Sequence, residues 1–251
     1  MEYRKEILIS PGRLRRKTIL SFVVFLGLIG AAIFWWNKVQ QGPRIEGRPV
    51  VIRRVLDFNG EFFSNFLSDQ HLAKNYPFSA AVTHVRVNGN LGLGNDFDPT
   101  KWKLQVIENP GDTLFVTLDD LKKLPKTEVV FDFKCIEGWS QVTHWAGVRF
   151  SDFAAHYQLN TQTRMKYVGL ATPDKKYYVG IDMASMMHPQ TILCYEMNGQ
   201  PLPMNQGYPL RLIIPVKYGV KHLKRIGSIY FSNTRPPDYW YEHGYDYFSG
   251  L

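Results

Sequence analysis

The most extended apolar pattern in the chain is a run of 19 residues without a charge, 18–36, directly after a basic amino terminus. A helix rises 1.5 Å per residue, so this run reaches about 28 Å, the hydrocarbon thickness of a bilayer. Trp35 and Trp36 at its end suit the interfacial region, and the basic residues before it favour a cytoplasmic amino terminus. The pattern predicts one membrane anchor, with residues 37–251 on the other side of the membrane.

A cleaved signal peptide begins in a similar way and is the alternative to an anchor. The apolar run is longer than an ordinary signal-peptide core, and its small-x-small pattern, Gly30-x-Ala32, lies inside the run. An uncleaved anchor is therefore favoured. Arg15-Arg16 resembles the start of a twin-arginine export signal, although the residues after this pair do not match one.

The anchor divides the chain into four parts. Residues 1–17 are predicted to be a cytoplasmic basic tail, residues 18–36 the anchor, residues 37–57 a linker rich in Gly and Pro, and residues 58–251 one folded domain. About 200 residues are enough for a domain with a substantial core.

Within the folded domain, short apolar patterns predict a mixture of strands and short helices. Val129–Lys134 alternates apolar and polar residues, which is typical of a half-buried strand. Further strands are expected over residues 102–107, 166–172, 191–196, 210–214 and 228–232. Short helices are expected within residues 60–76 and over residues 118–124, 151–159 and 182–188.

Charge and cysteine content exclude several classes of protein. The net charge is +8, but the first 17 residues hold six basic and two acidic residues and so account for half of it. No compact Lys/Arg stripe appears elsewhere, so nucleic-acid binding is not expected. The two cysteines, Cys135 and Cys194, form no Cys-x-x-Cys motif, which disfavours zinc fingers and c-type haem. Cys194 lies in an apolar strand pattern and is predicted to be a packed thiol.

Cys135 stands where the Val129–Lys134 strand ends, followed by Gly138 and flanked by Trp139 and Trp145. A strand that ends in a glycine-containing turn can present a thiol as a soft sulfur ligand to a metal or to an electrophile. The alternative is a buried, inert cysteine, because free cysteines are among the most buried residues. On residue type alone, both interpretations stay open.

The residues around Cys135 resemble a known family. Phe133-x-Cys135-Ile-Glu-Gly-Trp-Ser, followed by Trp145-x-Gly147-Val148, is similar to the segment with the molybdenum-ligating cysteine in sulfite-oxidase-like molybdopterin oxidoreductases. It looks closer to the bacterial periplasmic methionine-sulfoxide reductase catalytic subunit than to sulfite oxidases. The resemblance extends over residues 80–241 and is strong over residues 184–203 and 206–224. It implies a fold of the α+β class, a sulfite-oxidase-type molybdopterin domain of mixed sheets and short helices.

The resemblance also implies a set of site residues. Cys135 is expected to be the catalytic residue and the molybdenum ligand. Contacts to the cofactor are expected from Arg86, Asn88, Thr172, Gln206 and Arg211, and from the backbone of His222, Leu223 and Lys224. Gln206 departs from the Asn or His that is usual at its position. A basic stretch with Arg211, Lys217, Lys221 and Lys224 is predicted to bind the cofactor's terminal phosphate, although a solvated basic loop is the alternative. His188 is predicted to be structural.

The implied function is that of a molybdenum-molybdopterin oxidoreductase, held in the inner membrane by its amino-terminal helix with the catalytic domain in the periplasm. Reduction of a small or protein-bound S-oxide or N-oxide is expected. Electrons would come from a separate protein or quinone-linked carrier, since no haem or iron–sulfur motif is present. Sulfite-type oxidation and a cofactor-free binding module are the alternatives. Sulfite oxidases continue into a dimerisation domain, whereas this chain ends at Leu251, so a monomeric catalytic domain is expected.

Overall fold

The computed structural model describes residues 10–66 and 71–251, and the chain divides into two compact units after Arg53. The first unit contains α1, Pro11–Gln41, and a small hairpin of β1, Arg44–Ile45, and β2, Arg48–Pro49. Among the described residues, α1 is the one helix long and apolar enough to cross a membrane, and its apolar side chains are exposed. It contains the predicted anchor and extends beyond it at both ends.

A second helix, α2, spans Val50–Ser64. The predicted linker is therefore helical in its last part, and the short helix expected within residues 60–76 is wrong in its bounds, because α2 ends at Ser64. Pro49 is compatible with a helix that begins directly after it, and the sequence from Val50 holds no further proline before Pro77. Leu67, which was expected in that helix, lies outside the described residues, as do the tail residues 1–9.

The second unit contains two five-stranded sheets. The strands of the first sheet are β3, Leu104–Asn109, β4, Asp112–Val116, β7, Tyr167–Ala171, β8, Tyr178–Asp182, and β12, Ser228–Ser232. Their order is β4–β3–β12–β7–β8. β12 runs parallel to β3 and antiparallel to β7, so the sheet is mixed.

The second sheet carries the cysteine hairpin. Its strands are β5, Lys126–Lys134, β6, Ser140–Arg149, β9, Ile192–Met197, β10, Gln200–Pro201, and β11, Arg211–Ile213. β5 and β6 pair over nine residues from Lys126 to Lys134, and β9 joins β6 to both β10 and β11. The alternation predicted for β5 fails at Val130, which is buried because the segment around Tyr76 binds its carbonyl oxygen.

In the described part of the second unit, three short α-helices connect strands and a fourth follows the last strand. They are α3, Leu118–Lys122, α4, Phe150–His156, α5, Met183–Met186, and α6, Tyr239–Glu242. The Thr117 hydroxyl accepts a hydrogen bond from the Asp120 amide, and the Asp120 carboxylate bonds back to Thr117, which is a capping box. Mixed sheets with few helices confirm the predicted α+β class.

The two faces of the second sheet have different neighbours. One face packs on the first sheet and contributes Val148, Leu193 and Leu212 to the main core. The other face forms a smaller cluster around Phe131, Trp145 and Cys194, and this cluster borders the Cys135 end of the hairpin. Cys194 is fully buried, and its Sγ donates to the Glu196 carbonyl oxygen at 3.1 Å, which confirms the predicted packed thiol.

Gly147 sits where the β6–β9 register shifts. A Cβ atom at this position would lie 2.1 Å from the Leu193 carbonyl oxygen. Only a shift of the backbone could relieve this steric clash. The close approach of β6 and β9 therefore requires glycine at this position.

We expect Gly147→Ala to lower the free energy of unfolding by about 1–3 kcal/mol, the usual cost of overpacking. Thermal unfolding followed by near-UV circular dichroism measures it. Gly94→Ala is the matched control, since an added Cβ meets nothing within 4 Å there. Equal stability of the two variants would contradict the close approach.

Candidate active site

The turn between β5 and β6 holds Cys135 at the end of the second sheet. The Cys135 amide donates to the Trp139 carbonyl oxygen at 2.9 Å, and the Gly138 amide donates to the Cys135 carbonyl oxygen at 3.0 Å. Gly138 has a φ of 90°, a left-handed conformation that favours glycine. The Cys135 side chain is buried and lines a cavity, so the turn presents a protected sulfur rather than one packed in the core.

Seven of the nine predicted site residues line this cavity. They are Arg86, Asn88, Cys135, Gln206, Arg211, His222 and Lys224. Thr172 is not among the lining residues, because its hydroxyl donates to Asp174 at 2.6 Å and accepts from the Tyr177 amide at 3.2 Å within the β7–β8 turn. The Leu223 side chain lies in the main core, so only the backbone of this residue, from which the contact was predicted, could reach a ligand.

An irregular segment, residues 86–92, covers one side of the cavity. The Arg86 amide donates to Gln141 at 2.9 Å, and its guanidinium lies 4.7 Å from the centre of the Trp139 ring. Asn88 donates its side-chain amide to the Cys135 Sγ at 3.7 Å, a hydrogen bond that stabilises negative charge on sulfur. Thr172 supports the far end of the segment, because its side chain touches Gly92 so closely that no Cβ fits.

Arg211 is a buried cation, only 2% exposed. Its Nη1 donates to the Gln206 side chain at 2.8 Å and to the Gln206 carbonyl oxygen at 3.2 Å, and the guanidinium lies 4.4 Å from the centre of the Trp145 ring. No described carboxylate pairs with it, and its Nε has no hydrogen-bond partner among the described residues. Burial lowers the pKa of Arg211 to about 10. A buried charge without a counter-charge is costly, and an anion bound in the cavity would remove this cost.

Lys224 is the second cation on this side of the cavity. Its ammonium donates to the Asn88 and Gly89 carbonyl oxygens at 2.8 and 3.0 Å. Burial, and then the nearby charge of Arg211, lower the pKa of Lys224 to about 8. Two neighbouring cations, one of which lowers the pKa of the other, fit an anionic group such as the terminal phosphate of a pterin cofactor.

Arg211 and Lys224 form the cation cluster of the cavity. Lys217 and Lys221 do not belong to it, so the prediction that they bind phosphate is wrong. Lys217 Nζ donates to Asp182 at 2.7 Å, and Lys221 forms a short ion pair with Asp238. Both lysines are fully buried and neither lines the cavity. Buried ammonium groups require partners, and these carboxylates supply them.

His222 lies at the cavity wall as a neutral ring. Its Nδ1 accepts from the Ile214 amide at 3.4 Å, so Nε2 carries the proton and donates to the Lys217 carbonyl oxygen at 3.1 Å. Burial, and then the charge of Arg211, lower the pKa of His222 to about 3. The ring therefore ties the loop together and does not titrate near neutrality.

Sequence reasoning missed the aromatic and acidic residues that complete the lining, Glu137, Tyr177, Trp240 and Tyr245. The Tyr177 hydroxyl donates to the Val220 carbonyl oxygen at 2.5 Å, and burial raises the pKa of this phenol. The Glu137 carboxylate accepts from the Trp139 indole at 3.0 Å, and this bond, then one from Asn88, lower its pKa. Tyr177 had no signal in the sequence, whereas Trp240 ends a stretch that resembles the family.

Comparison with known proteins gives the family of the chain. The model of the oxidoreductase molybdopterin binding domain matches residues 91–240. A protein of Azospira oryzae, provisionally named protein-methionine-sulfoxide reductase subunit YedZ1, is 36% identical over 71% of this chain and 68% of its own length. The protein-methionine-sulfoxide reductase catalytic subunit MsrP of Campylobacter jejuni is 30% identical over 74% of this chain and 68% of its own length.

Mitochondrial sulfite oxidase of Rattus norvegicus is 29% identical over 76% of this chain, and the match spans 39% of that longer protein. The family match covers more than half of the chain, and it includes Cys135 and the cation cluster. The chain therefore belongs to the molybdopterin-binding oxidoreductases, the sulfite-oxidase-like enzymes that use a molybdenum cofactor.

Proposed function

We propose that this chain reduces an S-oxide or N-oxide, with methionine sulfoxide as the leading substrate class. The observation that carries the proposal is the Cys135 sulfur, held by a hairpin turn in a cavity that also contains the uncompensated Arg211 guanidinium. The names of the Azospira and Campylobacter relatives support reduction of methionine sulfoxide.

Particular residues would hold each part of the cofactor. Cys135 would be the metal ligand, because thiolate is a soft, strongly donating ligand. Asn88 donates a hydrogen bond to that sulfur and orients it. Arg211 and Lys224 bind the phosphate end, and Gln206 orients the Arg211 guanidinium. When bound, the cofactor supplies the two-electron exchange of an oxygen atom.

The remaining lining controls water and protons. Three aromatic rings, those of Phe133, Trp139 and Trp145, form a wall beside Cys135. The centre of the Phe133 ring lies 6.1 Å from that of Trp139 and 6.5 Å from that of Trp145. Tyr177 keeps its proton because burial raises its pKa, so the phenol acts as a hydrogen-bond donor and not as a base. Reduction of a sulfoxide consumes two electrons and two protons and releases a thioether and water.

Electrons would come from a separate protein or quinone-linked carrier, and the word "subunit" in the names of both bacterial relatives supports this.

We further propose that α1 anchors the chain in the inner membrane, with residues 37–251 in the periplasm. The length of α1, its apolar surface and the basic residues before its apolar run, 18–36, support this topology. Sulfite oxidation is the second candidate, because the rat sulfite oxidase also matches.

Replacing the proposed metal ligand should abolish turnover. Cys135→Ser exchanges a soft sulfur for a hard oxygen, so we expect kcat/KM for methionine sulfoxide, with an artificial electron donor, to fall at least about 100-fold, or ~2.7 kcal/mol. Cys194→Ser is the matched control and should retain turnover while lowering stability by about 1 kcal/mol. A fully active Cys135→Ser variant would show that Cys135 is not the metal ligand.

The wild type also tests the direction of the reaction. Faster sulfite oxidation than sulfoxide reduction would contradict the proposed direction.

Loss of both cavity cations should reduce the cofactor content. We expect Arg211→Ala combined with Lys224→Ala to lower the molybdenum and pterin found per purified chain, because charge-assisted bonds to phosphate are lost. Replacing the exposed Lys103 and Lys122 by alanine removes the same charge elsewhere and should leave the content unchanged. Equal cofactor content in both double variants would show that the phosphate binds elsewhere.

Cofactor retention should also depend on pH. The lowered pKa of Lys224, about 8, means that this side chain loses its proton as the pH rises above 8, and its attraction for an anion then weakens. We expect faster release of the cofactor above that pH. Lys224→Arg keeps its charge and should move the onset to higher pH, whereas identical release profiles would exclude Lys224 from the phosphate site.

The proposed topology can be tested with a fused reporter. Alkaline phosphatase, which is active only outside the cytoplasm, should be active when it follows Leu251 and inactive when it precedes Met1. The reverse pattern would contradict a cytoplasmic amino terminus.

A further inference from the structure

Apolar side chains are exposed on α2 and on the turn that follows it. Val55, Phe58, Phe62 and Phe66 are 54%, 65%, 47% and 60% exposed, and we call these four residues the aromatic stripe. The Phe62 ring lies 6.0 Å from that of Phe58 and 5.2 Å from that of Phe66, so the stripe is continuous. A surface helix ordinarily turns its apolar face inward, and a continuous exposed apolar patch marks an interaction surface.

The opposite side of α2 is attached to the domain. Asp57 pairs with Arg235 at 2.8 Å. Gly60 packs against the carboxyl-terminal segment so closely that an added Cβ would lie 3.2 Å from the Cβ of Phe248. At 3.6 residues per turn, the stripe residues within α2, Val55, Phe58 and Phe62, fall within roughly 60° of one face, and Asp57 and Gly60 lie on the other side. Phe66 follows α2 in the next turn and also borders the groove that Gly60 lines. Rotating α2 to bury the stripe would break both attachments.

The position of α2 in the chain identifies what covers the stripe. α1 ends at Gln41 and α2 begins at Val50, so eight residues, 42–49, separate them. Eight extended residues span at most about 29 Å, which limits how far α2 can begin from the end of the proposed anchor. Phenylalanine and valine suit the boundary between headgroups and acyl chains, and the exposed Arg54 beside the stripe suits anionic headgroups.

We propose that α2 is an interfacial helix whose aromatic stripe inserts into the lipid of the membrane that α1 spans. The inference rests on the anchor of the proposed function. It adds a second membrane contact, which fixes how the catalytic domain is oriented on the bilayer.

One groove extends from α2 to the residue beside Cys135. Leu56, Gly60 and Phe63 of α2 line a groove together with Ile136, the residue after Cys135, and Ile136 also lines the cavity. Lipid contact through α2 therefore sets the direction in which the Cys135 turn faces an electron carrier in the membrane.

The test uses the full chain in vesicles of phosphatidylcholine and phosphatidylglycerol, without another protein. An environment-sensitive fluorophore is attached at Phe62→Cys, and labelling is selective because Cys135 and Cys194 are buried. We expect a blue-shifted emission that nitroxide lipids quench. The same fluorophore at Lys122→Cys, on the exposed side of α3, is the matched control and should remain unquenched.

A third label separates failure of this inference from failure of the anchor. Quenching at Phe25→Cys, within α1, together with no quenching at Phe62→Cys would overturn the interfacial helix and leave the anchor intact. No quenching at Phe25→Cys would overturn the anchor itself. Quenching at Phe62→Cys that needs added membrane proteins would assign the stripe to a protein partner and overturn the lipid proposal.

A final variant separates lipid contact from a structural role. Replacing Phe58, Phe62 and Phe66 together by serine should remove the quenching of a label at Asn59→Cys. Because these side chains are exposed, the variant should unfold at the same temperature as the wild type. A large loss of thermal stability with quenching retained would show that the stripe serves the fold.

Discussion

The buried guanidinium of Arg211 is the constraint around which the cavity is arranged. A positive charge inside a protein is costly unless an anion pairs with it, and no described carboxylate does so. Gln206 and Trp145 hold the group through one side-chain hydrogen bond and one ring face. Its neighbour across the β9–β11 pair, Cys194, offers no counter-charge, because burial raises the pKa of that thiol to about 12. The protein thus keeps a charge ready for an anionic ligand.

The basic residues between Arg211 and Lys224 have two different physical roles. Lys217 and Lys221 pair with Asp182 and Asp238, and together with the neutral His222 ring they fix the course of the loop. This arrangement leaves Arg211 and Lys224 directed at the cavity with no carboxylate among their described partners. Buried ion pairs are weak evidence for stability, but here they determine which cations remain available to a ligand.

The proposed membrane contact and the site lie close together through one short part of the chain. The aromatic stripe of α2 faces outward, while Gly60 and Phe63 share a groove with Ile136 beside Cys135. An enzyme that receives electrons from a carrier in the membrane needs a fixed orientation toward it, because electron transfer weakens steeply with distance. Two membrane contacts define an orientation, whereas a single flexible tether does not.

The sequence by itself determined the apolar span of α1 and the cysteine turn, because periodicity, glycine and charge act locally. Through resemblance to a family, it also predicted the α+β class and seven of the residues that line the cavity. Only the tertiary structure decided that Lys217 pairs with Asp182, 35 residues away, that Thr172 supports Gly92 instead of lining the cavity, and that Tyr177 belongs to the site. These outcomes depend on which distant residues meet when the two sheets pack, and a local pattern carries no information about such partners.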